Sequence, residues 1–71
     1  MEEDKMGRRI RAYRKLKGHT QEGLAKSAGI SVSVLGEIER GSRKPKPELL
    51  LKIADILNIS EEELTNSTAN R

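Results

Sequence analysis

The feature that most narrows what this chain can become is a spacing between residues 21 and 38. Counted from Gln21, Ala25 is the fifth residue, Gly29 the ninth, Leu35 the fifteenth and Ile38 the eighteenth. Each position has a mechanical reason. A small side chain at 25 lets one helix cross close to the next. Gly29 permits a sharp turn at positive φ, a conformation that carries no steric penalty for glycine. Leu24, Ile30, Leu35 and Ile38 then fill the wedge between the two helices. Capping signals bound both helices: Thr20 is placed to cap 21–28 and Ser31 to cap 32–40. Ile30 before the second cap and Leu35 at the fourth helical position have the spacing of a hydrophobic staple. Gly23 stands where a capping box wants Glu or Gln. An interior glycine costs about 1 kcal/mol relative to Ala, so the first helix of this pair depends on packing.

The rest of the chain reads as helix too. Met6, Ile10 and Tyr13 recur at helical spacing and predict a helix over 5–17, with Gly18 as a left-handed stop. Gly41 stops 32–40. Pro47 suits the first turn of a helix over 47–57, whose inner face is Leu50, Ile53, Ala54 and Leu57. Ser60 and Glu63 form a capping box for a short fifth helix. Helical spacing recurs along the chain and no Asn-Gly or Asp-Gly hairpin signal occurs, so the expected class is all-α, a compact five-helix domain. The predicted organisation is an acidic tail over 1–5, one domain over 6–64 with its turn-linked pair at 21–40, and a polar tail over 65–71.

Composition then removes whole classes of function. Seventy-one residues make one small domain with a thin core, too small for a roomy ligand cavity, so neither a cofactor nor a small-molecule ligand is expected. The chain has no Cys and a single His, His19, which leaves no thiolate zinc site, thiol nucleophile or histidine cluster, and hence no catalytic constellation. Tyr13 is the only aromatic residue, which argues against binding single strands by base stacking. The acidic start, Met1-Glu2-Glu3-Asp4, and the lack of an apolar stretch of membrane length predict a cytoplasmic protein with no membrane partner. The formal net charge of +3 conceals a pattern. Residues 5–46 hold twelve bases and three acids, a net of +9, between acidic ends. One positive face, attractive to a polyanion, follows.

The segment Thr20-Gln21-Glu22…Leu24-Ala25…Ala28-Gly29-Ile30-Ser31…Leu35…Ile38-Glu39-Arg40-Gly41, extended through Pro45, Leu50, Ile53-Ala54, Leu57 and Ile59-Ser60, resembles the phage-repressor-like (Xre) helix-turn-helix family. The likeness covers roughly residues 6–64. It implies five helices, a homodimer, and a third helix that reads a half-site of double-stranded DNA through the major groove. It further implies that Ser31, Val32, Ser33 and Glu37 contact bases and that Gln21 contacts the backbone. Two hydroxyls can pair with several bases, Val32 can touch a thymine methyl and Glu37 can accept from cytosine N4. Glu37 reads equally as a surface acid that repels phosphate. Arg40, Arg43, Lys44 and Lys46 flank the groove as phosphate contacts. Arg14 and Glu39 are expected as the family's partly buried ion pair between the first and third helices. His19, Gly23, Gly36 and Pro47 depart from the usual family residues, Gly36 standing where Ser is common.

On the fourth helix the apolar arc is wide. Leu49 and Ile56, with Ile59 and Leu64, read either as a dimer patch or as residues partly buried under the tail. The expected function is a sequence-specific transcriptional regulator, a repressor acting by operator occupancy. The alternative is a protein-interaction module of the same fold that does not bind DNA.

Overall fold

The computed structural model describes residues 5–65; of the expected tails at 1–5 and 65–71 it includes only Lys5, which opens the first helix, and Thr65, which ends the last, and the rest lie outside the described residues. Five α-helices follow in order: α1 Lys5–Leu16, α2 Gln21–Ala28, α3 Val32–Arg40, α4 Pro47–Leu57 and α5 Glu61–Thr65. No strand occurs among the described residues.

The helix ends follow local chemistry. The hydroxyl of Thr20 accepts from the Gly23 amide at 2.9 Å, that of Ser31 from Val34 at 3.1 Å and that of Ser60 from Glu63 at 3.3 Å. Each satisfies one of the amides that a helix start leaves without a partner. The box expected at Ser60 is only half made: no reverse bond from the Ser60 amide to the Glu63 carboxylate forms. α1, α2, α3 and α4 share one kind of exit. After each, paired amides reach back to the last turn, as Gly29 does to Lys26 and Ile30 to Ala25. The turning residues are Gly18, Gly29, Gly41 and, at the end of α4, Asn58 with φ 61°. Asparagine is the commonest substitute for glycine in that left-handed position.

The core is assembled from every helix. Ile10, Leu24, Leu35, Ile38, Ile53, Leu57 and Leu64 are fully buried, and Met6, Tyr13, Ile30, Val34, Leu49, Ile56 and Ile59 pack around them. α3 lies between α1 and α2, while α5 closes the far side against α1 and α4. This placement corrects one expectation. Leu64 cannot belong to a surface patch, because α5 turns it inward and buries it completely. Gly7, which helical periodicity did not single out, sets how closely α1 meets α3. It is buried, and a Cβ there would run into the carbonyl oxygen of Ile38 and lie 2.7 Å from that of Glu39. The two backbones touch where any side chain would hold them apart.

Candidate nucleic-acid interface

α3 divides its residues sharply. Leu35, Ile38 and Glu39 point into the protein, while Ser31 at its cap and Val32, Ser33 and Arg40 on its outer face are exposed and Glu37 is half-buried. Val32 is 39% exposed, an apolar side chain at the front of the helix with no core to fill. The inward side is anchored by charge. Arg14 Nε donates to Glu39 Oε2 at 2.7 Å and Arg14 Nη2 to Oε1 at 3.3 Å, with both residues buried. Arg14 Nη1 also donates to the His19 carbonyl at 3.1 Å, so one guanidinium ties α1 to α3 and to the loop before α2. Among the described residues no buried side-chain polar atom is left without a partner, the condition under which such a pair is tolerable in a core.

Gln21 joins this network, its amide nitrogen donating to Glu39 Oε1 at 3.1 Å. A carboxamide has two N–H donors, so the bond orients the side chain at the start of α2 and leaves one donor over. Glu37 has a different partner. Arg43 Nε donates to Glu37 Oε1 at 2.7 Å, and the amide and hydroxyl of Ser42 both reach the Glu37 carbonyl, at 2.9 and 3.2 Å. The loop after α3 is thus folded back along the last turn of the helix. Arg43, read as a loop phosphate contact, is held against the outer face of α3, whereas Lys44 and Lys46 are exposed beyond it. Leu49, Ile56 and Ile59 stand half-buried against the core, and Leu49 lines a groove with Arg43, Lys44 and Lys46.

Two arginines that drew no separate notice in the sequence complete the surface. Arg8 and Arg11, exposed on α1, line a cleft of about 730 Å³ with Gln21, Gly36 and Arg40. The signal was available: Arg8, Arg11 and Arg14 repeat every third residue along α1 and so share one side of it. What the sequence did not tell was that this side faces α3. No described helix is long and apolar enough to cross a membrane.

A cap-fixed helix packed over a glycine turn, with an exposed front and with arginines and lysines around it, defines a helix-turn-helix regulator. The helix-turn-helix family model matches residues 10–64, and the chain belongs to that family. Its relatives are transcriptional regulators. It is 64% identical over 64 residues to the uncharacterised helix-turn-helix-type transcriptional regulator YazB of Bacillus subtilis, covering 90% of this chain and 93% of YazB. The crystal structure of the restriction-modification controller protein C.AhdI from Aeromonas hydrophila superposes with a TM-score of 0.84 at 40% identity, over 89% of this chain and 96% of that one. The DNA-binding domain of the P22 C2 repressor superposes with a TM-score of 0.83 at 35% identity, over 87% of this chain and 82% of that domain. The five-helix, phage-repressor-like fold is therefore the fold of this protein.

Proposed function

We propose that this chain represses transcription by occupying an operator in double-stranded DNA as a homodimer, each protomer laying α3 in the major groove of one half-site. The observation that supports this reading most directly is the outer face of α3. Val32 and Ser33 stand exposed there without a packing role, Arg40 is exposed at the end of the same helix, and Lys44 and Lys46 are exposed in the loop that follows. In this reading Val32 contacts a thymine methyl, and the hydroxyls of Ser31 and Ser33 pair with neighbouring bases. Gln21, Arg40, Lys44 and Lys46 bind phosphates and set the register.

Glu37 and Arg43 act as one unit rather than as an isolated acid and an isolated base. With its Nε given to Glu37, Arg43 keeps both Nη groups, the fork that matches guanine O6 and N7. The base preference near Glu37 is then for guanine read by Arg43, in place of cytosine read by the acid. Dimerisation uses the side of α4 that carries Leu49 and Ile56, together with Ile59. Two half-sites then lie about 10 bp apart, centre to centre. A regulator of transcription with these features works in the cytoplasm, beside the chromosome.

Selection of bound sequences from a random duplex pool tests binding, half-site and spacing together. The selected duplex should bind with steep salt dependence. If about six phosphates are neutralised, log affinity falls against log salt with a slope of about −5. A slope near zero, or no enrichment from the pool, would reject DNA binding and leave a protein-interaction module.

A further inference from the structure

We propose that the cleft between α1 and α3 is a phosphate-binding site, filled by a phosphodiester of the operator backbone. The inference rests on the DNA-binding reading and extends the contact surface onto α1. Three features of the cleft point the same way. The first is charge that no free acid among the described residues of the lining neutralises. Arg8 and Arg11 enter from α1 and Arg40 from α3, and the one acid in the lining, Glu39, is engaged by Arg14 and Gln21. Guanidinium forks match the oxygens of a phosphate in two-pronged bonds.

The second feature is Gly36. It is buried in the middle of α3, its φ is an ordinary helical one, and glycine in such a place disfavours the helix. Neither a turn nor a backbone crossing needs it. A Cβ at this position would lie 3.2 Å from Arg40 Nη1 and 3.8 Å from Gln21 Nε2, between two of the donors. The missing side chain is what opens the floor of the cleft.

The third feature is position. Gln21 and Arg40 line the cleft, and Arg40 also stands on the exposed face of α3. An anion seated among them belongs to the strand that walls the groove α3 enters. α1 thus clamps the backbone strand that α3 reads alongside, and Arg8 and Arg11 supply affinity without sequence preference.

The test uses the intact chain and a duplex taken from the selection, with affinity followed by fluorescence anisotropy across salt. The double variant Arg8→Ala/Arg11→Ala should lower the magnitude of the salt slope by about 2 and weaken binding about tenfold or more, equally for matched and mismatched duplexes. Gly36→Ala should raise the melting temperature, because alanine favours helix, while weakening DNA binding severalfold. A glycine of purely structural use would not separate those two readouts. If the wild-type chain shows no salt-dependent duplex binding, the functional reading fails with the proposal. If it binds and the double variant keeps both slope and affinity, the cleft proposal alone is overturned. A third arm uses ATP as a free phosphorylated probe. Protection of the wild type and not the double variant against thermal unfolding, with DNA binding unchanged in both, would assign the cleft to a free ligand and overturn the DNA assignment.

Discussion

α3 carries two arginine–glutamate pairs with the same Nε–Oε distance of 2.7 Å, one on each side of the helix. The Arg14–Glu39 side chains are 10% and 3% exposed, whereas those of Arg43 and Glu37 are 52% and 37% exposed. Distance says the two are equal, and solvent says they are not. In the buried pair every charge must find a partner inside, so removing one leaves the other stranded at several kcal/mol. In the exposed pair water replaces either partner, and the ion pair adds ~0–1 kcal/mol to stability at most. The inner pair fixes where α3 sits relative to α1. The outer pair can be broken without unfolding anything, which leaves it available for recognition.

The largest expected effect probes the inner side. Arg14→Ala should destabilise the fold by about 3–5 kcal/mol by stranding the Glu39 carboxylate. Lys26→Ala, on the exposed face of α2, should barely move the urea midpoint. Equal midpoints for the two variants would erase the contrast between the pairs. Gly7→Ala tests the same side without charge. Its added methyl must push α1 off the Ile38 and Glu39 carbonyls, at a cost of about 1–3 kcal/mol. Thermal melts that match the wild type would mean that α1 and α3 part freely.

The outer pair should answer in specificity. Glu37→Gln should change the base ranking at one position of the half-site by roughly 1–3 kcal/mol, with stability altered by less than ~1 kcal/mol. A uniform gain in affinity with an unchanged ranking would make Glu37 a repulsive acid and dissolve the recognition unit. The smallest effect lies outside both pairs. Tyr13 has its phenol pKa raised above 10, chiefly by hydrogen bonding toward the Glu63 carboxylate, then by burial and by that carboxylate's charge. The folded state therefore favours the protonated phenol. The stability this contributes is present below the unfolded value near 10 and is lost as pH rises through the higher folded value. Melting temperatures of wild type and Tyr13→Phe should converge as pH climbs past 10. A constant difference would show that α1 and α5 meet through packing alone.

What could be read from the chain differs in kind from what could not. The starts of α2, α3 and α5 were legible from Thr20, Ser31 and Ser60, and the exits of the first three helices from Gly18, Gly29 and Gly41. Each of these signals acts over three to six residues of the same backbone. The inward faces of α2, α3 and α4 were legible because helical periodicity is also local. The Arg14–Glu39 pairing came by family resemblance rather than from periodicity, since twenty-five residues separate the partners.

Other features escaped because they depend on how one helix lies against another. Leu64 was grouped with the apolar arc of α4, read either as a dimer patch or as partly buried under the tail, and only the docking of α5 onto α1 and α4 buried it completely. Gly7 looks like a weak point in a helix until α3 lies across it. Arg8 and Arg11 look like a solvated stripe until Gly36 stands opposite with no side chain. Arg43 looked like one more loop base until the chain turned at Gly41 and brought its Nε to Glu37. Backbone dihedrals and hydrogen bonds within a few residues were thus set by the amino-acid order alone. Helix crossings sum many weak contacts between distant segments, and so which charges met, which stayed free and which glycine opened a cleft were decided only when those segments packed.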